Sequence, residues 1–328
     1  MSSGATARAF ALAIPLVLVF GSLFVAADAV FEGLVRDAVD LGALPSHALI
    51  ALGWAWLAAG LLRFALGPTE RRALEPARRL GRIEVAVALG ALDALFLAFV
   101  LVQLRYLFGG QEHVVATAGL TYAEYARRGF FELVAVGALV VPLLLAGDAL
   151  VHHAARRIFR ALALVLLALL AVVMASALER MRLYTAEYGL TELRLYTTGF
   201  MAWLGLLAAW SLVTVFRERR VWFAPGAAAA AFGMVLALNV VNPDALIART
   251  NLDRHLTRRK ELDVLYLGDL SADAAPTIAR RLDVLAAGDR RYLEQRLARF
   301  DAPGDWRTSN WSRRRARGYA SSARAANR

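Results

Sequence analysis

One acidic residue sits where acids are costly. Asp93 lies about eleven residues into the long apolar run Ile83–Phe108. A helix rising 1.5 Å per residue carries it to about the middle of a bilayer whose hydrocarbon core is about 30 Å thick. A carboxylate at that depth costs about 2.5–3.5 kcal/mol on insertion scales, so it needs a partner, a water-filled cavity or a proton. Two roles fit. Asp93 is the titrating group of a proton or cation relay, or it is a paired or protonated residue that fixes helix packing. No second carboxylate stands at mid-span beside it.

Arginine and tyrosine form the second set of candidates. Tyr125 and Arg128 precede one apolar run, and Arg182, Tyr188 and Arg194 lie between two others. A guanidinium offers planar, bidentate donors to carboxylate or phosphate. Arg128, Arg182 and Arg194 beside tyrosines therefore suit an anionic group at a membrane surface. The plainer reading is interfacial capping with a tyrosine belt. Both loops contain Ala-Glu-Tyr, at 123–125 and 186–188, and Glu124 and Arg128 are spaced i,i+4 in the order that favours a helical ion pair.

Other chemistries lack their residues. No Gly-rich phosphate loop with lysine, no dinucleotide fingerprint and no His-Glu-x-x-His occurs. The chain has no cysteine, which excludes a disulfide, a thiolate nucleophile and an iron–sulfur cluster. Of the five histidines only His152 and His153 adjoin, and neighbours on a helix point apart, so no metal site is expected. No catalytic residue and no cofactor is assigned.

The elements that must hold these residues are membrane helices. The 328 residues are 59% hydrophobic with a mean hydropathy of +0.50, above the range of soluble domains. Seven runs are long enough to cross: Phe10–Phe31, His47–Leu66, Ile83–Phe108, Gly129–Val151, Ile158–Met181, Leu195–Phe216 and Val221–Val241. Helix follows because lipid offers backbone groups no other partner. Pro15, Pro142 and Pro225 mark kinks or breaks. Ala27-Asp28-Ala29 resembles a signal cleavage pattern, but the preceding run is long for a signal peptide and is read as a span. The expected fold class is an all-α polytopic bundle over residues 1–241, a soluble helical tail domain over 242–303 and a basic, disordered end over 304–328.

Arginine sets the orientation. With the N-terminus inside, inner segments carry thirteen arginines and outer short loops seven, which favours a cytoplasmic N-terminus in an inner membrane and an external tail. In that orientation Asp28, Gln103, Arg105, Glu132, Glu179, Arg180, Arg182, Arg194 and Asn239 all fall at outer span ends. Such a mixture of acids and bases fits a paired polar layer or a binding vestibule. The net charge of +11 is carried by arginine apart from Lys260. It reads as a topology signal rather than a nucleic-acid surface. The partners expected are the bilayer itself and, through the basic tail, anionic lipid or an envelope protein. Four roles remain open: binding an envelope ligand at the arginine–tyrosine layer, proton-coupled transport through Asp93, a scaffold acting through the tail, and, least favoured, a membrane enzyme.

Several stretches resemble a known family. Tyr125-Ala126-Arg127-Arg128-Gly129-Phe130-Phe131-Glu132-Leu133 is one. Arg182-Leu183-Tyr184 with Tyr188-Gly189-Leu190-Thr191 and Arg194 is another. The third is Asn242-Pro243-Asp244-Ala245-Leu246-Ile247-Ala248-Arg249 with Asn251, Asp263, Tyr266-Leu267 and Leu270-Ser271-Ala272-Asp273-Ala274 before Pro276. Together, from about Pro15 to Phe300, they resemble a bacterial membrane-protein family catalogued as domain of unknown function four-one-seven-three. The resemblance implies a polytopic protein in which loops and tail belong to one unit. It carries no functional residue, because the family has no assigned activity.

Overall fold

The computed structural model describes residues 3–38, 79–107 and 129–301, with further positions at 53, 55, 59, 312–314 and 316–318. Helices dominate, and among the described residues the only strand-like pairing is an isolated parallel bridge between Leu80 and Val151. The long helices are α1 (Ser3–Ala27), α3 (Arg82–Leu107), α4 (Phe130–Leu150), α5 (Arg156–Tyr188), α6 (Glu192–Phe216) and α7 (Phe223–Val241), with a short α2 (Ala29–Ala38) after α1. All six long helices are apolar and long enough to cross a membrane. They correspond to six of the seven expected spans. The remaining one, His47–Leu66, lies outside the described residues except at Gly53, Ala55 and Ala59.

Helix ends differ from the hydropathy boundaries in one important place. The run Ile158–Met181 belongs to a helix of 33 residues, about 50 Å long at 1.5 Å per residue. Helical structure therefore continues through the polar stretch to Tyr188. Pro15 and Pro142 lie within α1 and α4. Pro225 is in the first turn of α7, where its missing N–H costs no hydrogen bond.

Two compact units are distinguished, with divisions inside α5, α6 and α7. The first comprises Met1–Met181 and Phe200–Ala231. Here α1 and α3 run parallel, joined by phenylalanines: Phe24 stacks on Phe99 at 4.0 Å and meets Phe96 edge-on at 4.9 Å, Phe20 lies 5.6 Å from Phe96, and Phe31 of α2 lies 5.2 Å from Phe99. Between membrane helices the lipid-exposed alternative is equally apolar, so association rests on close packing. Aromatic pairs add about 0.5–1.5 kcal/mol each beyond burial. Glycines allow the closest approaches: a Cβ at Gly147 of α4 would stand 2.7 Å from Phe159 of α5, and one at Gly53 would meet Leu18 and Val19 of α1.

Two ion pairs fasten α1 near its ends. Arg8 meets the buried Glu84 of α3 at 3.2 Å. At the other end Asp28, 1% exposed, accepts from Arg180 of α5 at 2.7 Å. The histidine pair departs from expectation. His152 and His153 lie at a short 3-10 turn rather than on an α-helix, with ring centroids 4.6 Å apart and His152 Nδ1 accepting from Ala154 N. No group of three His, Cys, Asp or Glu among the described residues is placed to hold a metal ion.

The second unit comprises Arg182–Gly199 and Phe232–Arg328, so it takes in more than the tail expected to begin at Asn242. Its helices are α8 (Pro243–Arg258), α9 (Val264–Asp269), α10 (Ala275–Ala279) and α11 (Ala287–Ala298). Asn242 caps α8 by accepting from Ala245 N, with Pro243 at the helix start, and Asp263 caps α9 by accepting from Tyr266 N at 2.9 Å. Ile247, Leu252, Leu267, Ile278, Leu293 and Leu297 form the core, against which Leu190 and Leu195 pack.

Candidate functional site

The interior face of α3 is defined by residues that recur every three or four positions: Val85, Leu89, Leu92, Phe96, Phe99 and Gln103 are all buried. Asp93 adjoins this stripe and is 7% exposed. Among the described residues neither of its carboxylate oxygens has a hydrogen-bond partner, and the same holds for both amide atoms of Gln103, which is 2% exposed. Trp203 of α6 also has a buried Nε1 without an acceptor among the described residues. Two buried hydroxyls on the same bundle are satisfied locally. Ser211 donates to Ala208 O, and Thr214 to Trp210 O and Ser211 O. A buried polar group left unpaired costs about 1–3 kcal/mol, more when charged. Of these groups Asp93 and Gln103 are the two that leave more than one polar atom unpaired among the described residues.

Polar residues at span ends are arranged differently. Asp28 Oδ1 accepts from the N–H groups of Val30 and Phe31, capping α2, while Oδ2 accepts from Arg180 Nη2. Arg180 Nη1 also donates to Ala27 O at 3.2 Å. The pair is almost wholly buried, and each partner has more than one bond, as a desolvated ion pair requires. Gly129 serves this junction. Its φ is +77°, and a Cβ there would lie 2.0 Å from Ala27 O. That explains the glycine of the Arg-Arg-Gly-Phe-Phe stretch: any side chain would collide with the end of α1. Tyr125 and Arg128 lie outside the described residues.

The other three arginine–tyrosine candidates belong to the second unit. Arg194 places its guanidinium 4.0 Å above the Tyr184 ring and donates from Nη1 to Gly189 O. Tyr188 is half exposed and packs edge-on against Tyr184 at 5.1 Å. Arg182 is exposed. Around the same turn Arg254 donates to Glu187 O at 2.6 Å and to Glu261 O at 2.7 Å, and Lys260 meets the Glu187 carboxylate at 2.6 Å. Positive groups thus converge on the C-terminal end of α5, where unpaired carbonyls and the helix dipole favour cations.

Asn251 completes the turn. Its Oδ1 accepts from Leu190 N at 2.7 Å and its Nδ2 donates to Leu190 O at 2.8 Å, so the amide imitates a paired backbone. Gly189 has φ +84°, and a Cβ there would stand 2.7 Å from Asn251 Oδ1. The Tyr266 hydroxyl accepts from Glu192 N at 2.9 Å. Burial pushes the Tyr266 phenol above its ordinary value. Asp244 Oδ2 accepts from Ser271 N. Residues that looked like separate stretches of sequence thus form one network.

Sequence reasoning did not single out Arg254 as a cap or Glu218 as an anchor. Glu218, in the turn after α6 with φ +55°, accepts from Arg160 at 2.5 Å and pairs with Arg156 at 3.3 Å. These partners hold its carboxyl below the ordinary value. The apolar helices, with these buried ends, make the chain an integral membrane protein. No match exists among curated proteins or solved structures. One family model does match, over residues 2–281, with the description Domain of unknown function (DUF4153). Its designation is not the four-one-seven-three with which the motifs were compared above, but, as that comparison implied, it is a domain family of unassigned function. With most of its length matched, from the first span into the tail, the chain belongs to the DUF4153 family.

Proposed function

We propose that this chain is a proton- or cation-coupled membrane protein in which Asp93 takes up and releases the moving charge. The N-terminus faces the cytoplasm, as the arginine distribution favours. One observation carries the reading: both oxygens of a carboxylate in mid-span are buried without a partner among the described residues. An acid retained only for packing would have acquired a donor, as Asp28 has in Arg180 and Glu84 in Arg8. An acid that must bind and release a proton or cation cannot be permanently paired.

The test uses the full chain reconstituted in vesicles containing a pH-sensitive dye, with proton, Na⁺ and K⁺ gradients imposed in turn. Wild type conducts at least one of these ions, Asp93→Asn abolishes the flux and Asp93→Glu retains part of it. Equal flux in wild type and Asp93→Asn, or no flux under any gradient, sinks the proposal. A second reading, an anionic envelope ligand at the arginine–tyrosine end, is favoured by the exposure of Arg182 and Tyr188 on the last turns of α5. Inorganic phosphate that stabilises wild type and not Arg182→Gln against heat supports it. Equal shifts remove it.

A further inference from the structure

We infer that Gln103 is a second polar station on the path served by Asp93, and that the phenylalanine cluster between them is its dry barrier; the inference rests on the proposed role of Asp93. Along α3, Phe96 and Phe99 come three and six residues after Asp93, and Gln103 comes ten after. At 1.5 Å per residue these are about 4.5, 9 and 15 Å along the axis.

Gln103 resembles Asp93 in the respect that matters. It is 2% exposed, and its amide nitrogen and oxygen both lack partners among the described residues. A leucine would fill the same volume without leaving a donor and an acceptor unpaired. A neutral amide suits a passing water, hydronium or hydrated cation, because it can donate and accept without trapping the charge. Between the two stations the lining changes character completely. Phe96 and Phe99 are fully buried and pack on Phe20 and Phe24 of α1, with Phe31 closing on Phe99. An all-aromatic constriction excludes water, which is how hydrophobic gates close. Asp93 and Gln103 thus lie on opposite sides of one apolar plug.

The absence of native cysteine permits a direct test that does not depend on flux. Single cysteines introduced as Asp93→Cys and Gln103→Cys are exposed to a charged, membrane-impermeant methanethiosulfonate in sealed vesicles of each orientation. We expect Gln103→Cys to react from one side only and Asp93→Cys not to react from that side. Adding Phe99→Ala should take Asp93→Cys from unreactive to fully modified from the Gln103 side. Phe99→Leu and Phe24→Leu serve if the alanine variant fails to fold, and the continued reactivity of Gln103→Cys reports the fold in each.

An unreactive Gln103→Cys overturns the inference. So does modification of both positions from one side with Phe99 intact, or an Asp93→Cys that stays protected when the plug is opened in a folded variant. The two ideas fail separately. The expected labelling without ion flux leaves the barrier and removes the coupling, while flux with the wrong labelling does the reverse.

Discussion

Replacing Asp93 by leucine should stabilise this protein while ending the ion flux proposed above. Leucine branches at Cγ as aspartate does, so two methyl groups take the places of two oxygens. A swap that preserves shape in this way costs less than about 1.5 kcal/mol in packing. Against that stands the removal of a buried carboxyl without a partner among the described residues. Unpaired buried polar groups are worth about 1–3 kcal/mol of destabilisation, and a charge at mid-bilayer about 2.5–3.5 kcal/mol. The net expectation is a gain of about 1–3 kcal/mol, the sign found where a functional group is maintained against stability. Asp93→Asn should gain less, since an amide at the site is still unpaired. Unfolding by SDS titration in mixed micelles, followed by circular dichroism, measures both variants. If Asp93→Leu instead loses more than about 1 kcal/mol, beyond what its packing change explains, Asp93 is a structural partner and the reasoning fails.

The remaining predictions concern groups that do have partners. Arg180→Met leaves the buried Asp28 without its guanidinium and should cost about 3–5 kcal/mol in the same titration; a cost under about 1 kcal/mol contradicts a buried pair. Asn251→Ala strips both bonds from Leu190 and should accelerate hydrogen exchange at that amide, with a loss of about 1–3 kcal/mol; unchanged exchange argues against the clamp. Gly189→Ala should be worse tolerated than alanine at Gly233, because it combines a positive φ with a contact of 2.7 Å, whereas Gly233 faces open space. For Glu218 the lowered value sets the direction. Its pairing with Arg160 and Arg156 is present above the ordinary glutamate value of 4.5 and is lost as pH falls through the lowered one. Acid titration should therefore release the turn after α6, measured by protease cleavage near Arg219. A Glu218→Gln protein should be cleaved at neutral pH and show little further change on acidification.

The spans were legible because hydropathy is a local property: each run had to be apolar from end to end to enter lipid. One helix extends well beyond its apolar run. The stretch from Arg182 to Tyr188 reads as a polar loop, yet it is the end of a 33-residue helix whose C-terminal carbonyls are capped by Arg254 and Arg194. Polarity signalled the membrane boundary, and it was mistaken for the helix boundary. Helix α8 was noticed only as a family-like stretch, although Asn242-Pro243-Asp244 has the residues of a helix start. What no local reading supplies is partnership across the chain. Asp28 and Arg180 are separated by 152 positions and Asn251 and Leu190 by 61, and nothing in either neighbourhood names the other.

That difference in range also separates the two kinds of candidate. The stretches that looked like signatures are built from glycines at positive φ, capping side chains and an amide that clamps a turn. Gly129, Gly189, Asn242, Asn251 and Asp263 each meet a geometric demand that few residue types can meet. Such demands recur as recognisable motifs whatever the protein does, so a motif here reports architecture. Asp93 and Gln103 meet no such demand. Each is one letter in an apolar run, visible only through the energy that its burial costs. The two classes therefore respond to replacement with opposite signs. Removing a motif residue leaves a partner unsatisfied and destabilises the fold, whereas removing Asp93 relieves the cost of burying a carboxyl that has no partner among the described residues.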